Sequence, residues 1–398
     1  MSVSIIGEGR VARLIEDTAA QLSSEGAWFN PDLEIQVDGS NVSVVSRNAF
    51  TDRRSVIRVP VASMPVLDDF DVTLSGDDFQ CTPKGDSVSD AQVRMMNLML
   101  DTYNALDKIP QWKRETPWFA LLEHPDVLDH LISGRPRVAR LHTLKQMGAD
   151  GDVAEMANDT FIGSRKFNLS PQNCKAIGRE EKDGVKVLLP IIDFFNHRMS
   201  AQGFKISDVP SPASMRIQAV PDKETGELFV RYNVFDALDT YLYYGFVDAD
   251  VGYMSSVPCT LSIGDITLTV IGGGGRTAKT GKLAPALKDL RLFIPSLNKS
   301  SDNQFQANKM VIPGPRAPRA LRRVLAVLMN TLQVPRDKVE AYALKAEQDL
   351  LDQNEAWWTA LADKVADVPA DNGIHDLVKT GLGHIAQYRG IVEKMTAA

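Results

Sequence analysis

The chain has 398 residues, 44% of them hydrophobic and 24% charged, which is typical of a globular protein with two or three domains. A formal net charge of −7 argues against a general nucleic-acid-binding protein, because such proteins carry a basic excess. The cysteines Cys81, Cys174 and Cys259 are too far apart to suggest a zinc site and fit a reducing compartment. The N-terminal residues lack secretory-signal features, and no stretch reaches the roughly 18 apolar residues of a membrane span. We expect a cytoplasmic protein without a metal site or a membrane segment.

Residues 1–159 carry helix, hairpin and helix signals in turn. Apolar residues on one side predict an amphipathic helix over 5–24. From Leu33 the apolar spacing changes to two around the turn 38–41, which predicts a β-hairpin, and a further strand is predicted over Ser55–Val59. Ser89 has the residue type of a helix N-cap. We expect a helical subdomain over about 88–159, inserted between two sets of strands.

The central stretch, 187–247, combines strand signals with a polar triplet. Val187–Leu189 predicts a strand that ends at Pro190, which cannot donate a ladder hydrogen bond. Asp193, Asn196 and His197 follow within an apolar segment, where burial of unpartnered polar groups would cost several kcal/mol. An amide and an imidazole suit an adenine edge or a neighbouring backbone equally well. The triplet is therefore either a binding element or a core turn whose polar groups are satisfied internally.

The flanking segments predict loops and further strands. A polar stretch over 170–183 predicts a surface loop. The remaining strand signals lie over 214–221, 228–232, 259–263 and 266–271. The glycine-rich stretch 272–282 departs from a phosphate-binding loop, because five residues separate Gly275 from Gly281 and Leu283 replaces the hydroxyl residue. We interpret it as a flexible loop rather than the site of a nucleotide hydrolase.

The C-terminal part predicts a separate helical domain. Helices are expected over Ala317–Leu332, Arg336–Lys364 and Ile374–Met395, with prolines between them. The first carries a cluster of arginines at positions 316, 319, 322 and 323. This cluster is either a docking surface for an acidic partner or a solvated face, and isolated surface charges favour the solvated face.

Four motifs, in this order, resemble a SET domain, and more narrowly the branch typified by the plant Rubisco large-subunit lysine methyltransferase. They are Ser164-Arg165 and the runs 189–197, 226–232 and 242–247. The resemblance implies an α+β SET fold of small β-sheets with a pseudoknot, an inserted helical subdomain and a C-terminal helical domain. The implied boundaries are a SET-like domain over 1–255 with its insert at about 88–159, a β and loop connection over 256–314, and a substrate-binding-like domain over 315–398.

The same resemblance implies S-adenosylmethionine as the cofactor. Carried over position by position, Asn196 and His197 would contact its adenine and ribose side. Ser164 and Arg165 would meet its amino-acid portion or support that pocket, and Asp193 would brace the turn. In SET domains one segment threads through a loop formed by another, which brings the Asn-His element beside the final tyrosine.

The implied reaction is methylation of a lysine on a non-histone protein. Tyr232 would place its hydroxyl beside the transferred methyl group, and Tyr244 would line the channel that receives the lysine. The amine must be neutral to react, and a free lysine has a pKa near ~10.4, so a narrow apolar channel has to lower it by desolvation. The alternative for the tyrosines of this region is interior packing with a hydrogen-bonded hydroxyl.

The chain departs from the branch at its first motif. The family has a Gly-x-Gly hairpin where the backbone approaches the cofactor, and the matching positions here are Asn41 and Ser43. Their side chains could crowd the methionine end of the cofactor, because glycine is the residue that permits such approach. The alternative is therefore a catalytically inactive SET-fold binding or scaffold protein that has lost its affinity for the cofactor.

Overall fold

The structure is a computed structural model that describes residues 3–50, 54–86, 88–116, 121–148, 151–207, 213–219, 226–273, 290 and 293–397. Helices and strands both make large contributions, so the predicted α+β class is confirmed. No helix in these ranges combines the length and the apolar character needed to cross a bilayer. Most of the glycine-rich stretch 272–282 lies outside the described residues.

The strands of the described residues are β1 Ser4–Ile6, β2 Trp28–Phe29, β3 Leu33–Asp38, β4 Asn41–Ser46, β5 Ser55–Pro60, β6 Phe70–Ser75, β7 Asp78–Pro83, β8 Phe167–Leu169, β9 Val185–Val187, β10 Lys205–Ser207, β11 Ser214–Gln218, β12 Gly226–Glu227, β13 Tyr253–Ser255, β14 Cys259–Ile263, β15 Ile266–Val270, β16 Leu297–Ser301, β17 Gln304–Ala307 and β18 Val311–Pro313. The helices are α1 Gly9–Ser24, α2 Asp90–Ala105, α3 Lys108–Glu115, α4 Pro125–Gly134, α5 Ala139–Met147, α6 Val153–Met156, α7 Gly163–Arg165, α8 Pro171–Cys174, α9 Ala237–Tyr244, α10 Ala320–Thr331, α11 Val339–Lys364 and α12 Ile374–Ala397. A π-helical segment, Ala157–Ile162, joins α6 to α7.

The chain forms two compact units. The first unit comprises residues 1–115 and 152–234, and the second comprises residues 116–151 and 235–398. Each unit is therefore built from two separate pieces of the sequence. The domain boundaries implied by the SET resemblance stay a prediction.

Two four-stranded sheets build the first unit, with strand orders β1-β3-β4-β12 and β10-β11-β5-β2. The predicted hairpin is β3–β4, and Gly39, with a φ of 58°, allows the tight turn between its strands. Leu33, Ile35 and Val44 are buried in the core together with Ile15 of α1. Each such side chain stabilises the fold by about 1.5–3 kcal/mol.

Four predictions for the first unit need correction. The strand predicted over 228–232 is absent, because β12 covers only Gly226–Glu227 and the next residues form only isolated bridges at Val230 and Arg231. The helix predicted over 5–24 begins at Gly9, because Ile5 pairs with Ile35 in the parallel strand β1. The strand predicted over 187–189 ends at Val187. The N–H of Leu188 donates to the carbonyl of Pro65 and not to a neighbouring strand. The stretch predicted as a loop over 170–183 contains the short helix α8.

The second unit combines a mixed sheet of order β14-β15-β17-β16, the pair β13–β18 and the helices α10 to α12. All three predicted C-terminal helices are present, although the first two begin three residues later than predicted. Arg322 does not belong to a solvated face, because its guanidinium donates to the fully buried Glu347 at 2.6 and 2.9 Å. Tyr388 donates to the same carboxylate at 2.8 Å, so the buried charge is paired.

Candidate functional site

The backbone of Val230 and Arg231 meets both ends of the loop 196–203. Val230 donates its N–H to the carbonyl of Asn196 at 2.9 Å, and Arg231 donates to the carbonyl of Gln202 at 3.0 Å. A segment that hydrogen-bonds to both ends of another loop is the arrangement that the resemblance to SET domains implies. It brings the Asn-His element against the segment that ends in the predicted catalytic tyrosine.

Tyr232 is held on the Asn-His element by its backbone and by its side chain. Its N–H donates to Nδ1 of His197 at 3.1 Å, and its hydroxyl donates to the carbonyl of Phe195 at 2.8 Å. The ring lies 5.2 Å from the His197 ring and stacks on Phe204 at 6.5 Å. Because Nδ1 of His197 accepts a hydrogen bond, the neutral imidazole carries its proton on Nε2. The structure thus brings His197 and Tyr232 together.

Asn196 presents an exposed side chain beside this contact. Its Nδ2 donates to Oε1 of Glu227 at 2.6 Å. Its Oδ1 accepts no hydrogen bond from any residue that the structure describes, so the side chain offers an acceptor to a ligand. Glu227 belongs to the run 226–232, which resembles a SET-domain motif, but the resemblance assigns this residue no role.

Asp193 belongs to a neighbouring cluster with Tyr103 and Arg165. One carboxylate oxygen of Asp193 accepts from the Tyr103 hydroxyl at 3.0 Å and lies 3.3 Å from Nε of Arg165. The Arg165 guanidinium lies over the Phe161 ring, 3.7 Å from its centroid. Arg165 is therefore paired with Asp193, and its predicted role at the cofactor stays a prediction.

Burial dominates the electrostatics of this cluster. It raises the pKa of the Asp193 carboxyl, and the Arg165 charge and the Tyr103 hydrogen bond oppose the increase. The pKa of Tyr103 lies well above its ordinary value because of burial and the Asp193 charge. Tyr232 adds to this increase, so its phenol lies within electrostatic range of Tyr103. Tyr103 is the residue of this cluster that sequence reasoning missed, because its helical position indicated only core packing.

A strained turn precedes Asp193. Ile191 has a φ of 63° and a ψ of −40°, and the N–H of Ile192 donates to the carbonyl of Pro190 at 2.7 Å. This is a γ-turn with a positive φ, which is rare for any residue and a genuine outlier for a β-branched one. The fully packed Ile191 side chain holds the turn in place, and the turn redirects the chain into the polar triplet.

Ser164, Asn41 and Ser43 are the other residues of the first unit that were predicted to bind the cofactor. Ser164 donates its hydroxyl to the carbonyl of Phe161 at 2.8 Å and accepts from Nη1 of Arg165 at 3.2 Å. Asn41 and Ser43 lie on β4, exposed and half-buried respectively. Neither of these two side chains hydrogen-bonds to a residue within the described ranges. Their predicted proximity to a cofactor stays a prediction.

Tyr244 lies in the second unit, at the end of α9. Its ring is 6.0 Å from that of Phe235 and 6.0 Å from that of Phe246, and Phe235 stacks on Tyr243 at 4.8 Å. Burial raises the pKa of Tyr244 to about 12, so its hydroxyl is neutral at physiological pH. The assignment of Tyr244 to a lysine channel stays a prediction.

Arg135 fixes the start of the helix that carries Tyr244. Its side chain is 1% exposed and donates at 2.9 Å to Asp236, the N-cap of α9, and at 2.9 Å to Asp239. Three backbone carbonyls accept its other hydrogen bonds, so all five N–H groups have partners. We call Arg135, Asp236 and Asp239 the Arg135 brace. Sequence reasoning missed this group.

The Arg135 brace contains two carboxylates for one guanidinium, which makes stability depend on pH. Burial and the Asp236 charge raise the pKa of Asp239 to about 6, although Arg135 opposes the increase. A carboxyl whose folded pKa is raised stabilises the fold below its unfolded pKa and loses that contribution as pH rises to the folded pKa. Between pH 7 and pH 5, we expect this group to raise the free energy of unfolding by about 1 kcal/mol.

Asp239→Asn tests this dependence, because the amide oxygen can still accept from Arg135 but does not titrate. Urea unfolding of both proteins at pH 5, 6 and 7 measures the difference. The wild type should gain stability relative to the variant as the pH falls. Parallel curves for the two proteins would contradict the assignment of the proton to Asp239.

No protein-family model matches the chain, and no curated protein matches it. Among solved structures, the SET domain of LSMT bound to lysine and AdoHcy aligns with 96% of this chain and 91% of its own, at 12% identity and a TM-score of 0.43. The structure of Rubisco LSMT bound to AdoMet aligns with 96% of this chain and 92% of its own, at 13% identity and a TM-score of 0.38. This likeness concerns the course of the chain and says nothing about its activity.

Proposed function

We propose that the protein is an S-adenosylmethionine-dependent N-methyltransferase of the SET type that acts on a lysine of a non-histone protein. The observation that carries this proposal is the contact of Tyr232 with the Asn-His element, through His197 Nδ1 at 3.1 Å and the Phe195 carbonyl at 2.8 Å. The imidazole that follows Asn196 and a phenol 35 residues further along the chain are thereby brought into contact.

The donor set of this site fits an adenosine ligand. The exposed Asn196 side chain has an acceptor that no described residue occupies, which suits the amino group of adenine. Glu227, 2.6 Å from Nδ2 of Asn196, fixes which way the amide faces. Opposing this fit, Asn41 and Ser43 stand where the resembling family has glycines.

Methyl transfer to an amine is an in-line displacement, so catalysis depends mainly on positioning. S-adenosylmethionine supplies a methyl group bonded to a positively charged sulfur. Tyr232 presents a neutral oxygen, and its hydrogen bond to Phe195 holds that oxygen in place. A neutral phenol can orient an amine without adding a negative charge that would favour the unreactive ammonium form.

Calorimetry with S-adenosylmethionine and S-adenosylhomocysteine tests the proposal. We expect the wild type to bind both ligands and Asn196→Ala to weaken binding about tenfold, because one hydrogen bond to the ligand is lost. Asn97→Ala, an exposed change on α2, is the matched control and should bind like the wild type. The cofactor assignment is contradicted if the wild type gives no heat at about 100 µM ligand. A Kd of that size corresponds to a binding free energy of roughly −5.5 kcal/mol.

The second candidate is a SET-type binding protein without activity, and the residues at 41 and 43 favour it. Ligand binding separates the two candidates, since the binding protein should take up neither adenosine ligand. A radiolabelled methyl-transfer assay on proteins of a whole-cell lysate then tests turnover. Ligand binding without any labelled lysine would support a cofactor-binding protein that is not an enzyme.

A further inference from the structure

A row of three cations crosses the second sheet of the first unit on one face. Arg58 on β5 is paired directly with Trp28 on β2 and with Arg216 on β11, and Arg216 is paired with Lys205 on β10. Directly opposed residues of antiparallel strands share a face, about 5 Å apart. We call these residues, Trp28, Arg58, Arg216 and Lys205, the cationic row.

The cationic row carries unbalanced charge in an acidic protein. Within the described ranges, neither Arg58 nor Arg216 forms an ion pair, and Lys205 donates to the neutral Gln218 at 2.7 Å. The formal net charge of the chain is −7, so acidic residues are plentiful elsewhere. Like charges directly opposed on a sheet destabilise it. A row of them without counter-charges among the described residues costs stability, and an anionic ligand would remove that cost.

Two nitrogens of Arg216 are unused. Its Nε and Nη2 are buried and have no hydrogen-bond partner among the described residues. Buried polar groups are nearly always hydrogen-bonded, and a guanidinium edge formed by Nε and Nη2 is the fork that grips a phosphate with two parallel bonds. Arg58 lies over the Trp28 ring at 4.8 Å, which limits the orientations of its guanidinium.

Trp28, Arg58 and Arg216 of the row line an open depression of about 430 Å³, whereas Lys205 is not part of its lining. Its lining also includes Asn30, Arg54 and Ser55. The volume lies in the range of small-molecule sites, roughly 300–1,000 Å³. The acidic net charge of the chain disfavours a nucleic acid as the occupant.

We propose that the cationic row binds a small molecule that carries two or more linked phosphate groups. Arg216 binds one phosphate and Arg58, beside it in the depression, binds the next. Lys205, the neighbour of Arg216 on the other side, attracts a further phosphate from outside the depression. The site lies on a different sheet from the strand β12 that carries Glu227, and it is independent of the methyltransferase assignment.

Calorimetry with inorganic tripolyphosphate, pyrophosphate and sulfate at about 150 mM salt, where the Debye length is roughly 8 Å, tests the proposal on the full chain. We expect binding in the order tripolyphosphate, pyrophosphate, sulfate, because each further phosphate reaches another cation. Arg216→Gln should weaken tripolyphosphate binding at least about tenfold, the equivalent of 1.4 kcal/mol. Arg94→Gln, an exposed arginine on α2, should leave it unchanged.

A melting measurement without ligand shows that the variant is folded. Because Arg216→Gln relieves repulsion, we expect its Tm to equal or exceed that of the wild type, and tripolyphosphate should raise the Tm of the wild type only. No binding of tripolyphosphate at 1 mM, roughly −4 kcal/mol, overturns the proposal, as does equal binding by Arg216→Gln. A poly-glutamate peptide that binds more tightly than tripolyphosphate would overturn it in favour of an acidic protein segment.

Discussion

Tyr232→Phe is expected to lower the rate of methyl transfer about 100-fold while the affinity for S-adenosylmethionine stays within twofold. The phenylalanine ring retains the contacts with His197 and Phe204, so the packing around position 232 is kept. The lost hydroxyl removes the oxygen that we propose orients the amine, and a displacement of about 1 Å in a reacting group can cost 100-fold in rate. The measurement is single-turnover transfer of labelled methyl groups together with calorimetry of the cofactor.

Tyr342→Phe is the matched control, because this half-buried tyrosine on α11 has no part in the proposed site. It should transfer methyl groups at the wild-type rate. Tyr232→Phe also loses a hydrogen bond, worth about 0.5–1.5 kcal/mol, so its melting curve should be recorded. A folded Tyr232→Phe with an unchanged rate would remove Tyr232 from catalysis, whereas a joint loss of rate and cofactor affinity would assign it to binding.

Arg135→Met is expected to lower the free energy of unfolding of the second unit by about 3–5 kcal/mol. The substitution keeps an unbranched side chain of similar reach but leaves Asp236 and Asp239 buried without a counter-charge. Chemical denaturation at pH 7, followed by far-UV circular dichroism, measures the change. The loss should shrink at pH 5, because Asp239 then takes up a proton and less charge remains buried.

Arg137→Met is the control for this effect, since Arg137 is exposed two residues away and changes at such positions usually stay within about 0.5 kcal/mol. A loss below 1 kcal/mol for Arg135→Met would show that the carboxylates find other partners or already carry protons at pH 7. A loss that grows at pH 5 would contradict the raised pKa of Asp239.

Local patterns were sufficient for the elements whose signals are local. The hairpin β3–β4 follows from alternating apolar residues around a glycine turn, and α2 begins after Ser89, whose hydroxyl accepts from the N–H of Gln92 at 3.3 Å. The hairpin β6–β7 carries the same alternation around Gly76, so its signal is local as well. The strand β16 is almost entirely polar and exposed, so it carries no alternation that could indicate a strand.

The candidate site likewise contains residues that motifs predict and residues that no local pattern indicates. The run containing Asn196 and His197 and the tyrosine at 232 were predicted to meet because four motifs resembled a family, and their contact is present. The partners that complete the site come from far along the chain, such as Tyr103, 90 residues from Asp193. No local pattern encodes a pairing across such a separation. Arg135 gave no signal either, because arginine is almost never fully buried unless it is paired.

The Arg135 brace sets an order of events during synthesis of the chain. Arg135 precedes its partner Asp236 by 101 residues, so the ribosome releases the guanidinium long before the carboxylates exist. Until then water must solvate that cation, because its burial without a counter-charge costs several kcal/mol. The pieces 116–151 and 235–398 can consequently close around each other only late in translation, and a fragment starting at Phe235 would lack the cation on which its own acidic pair depends.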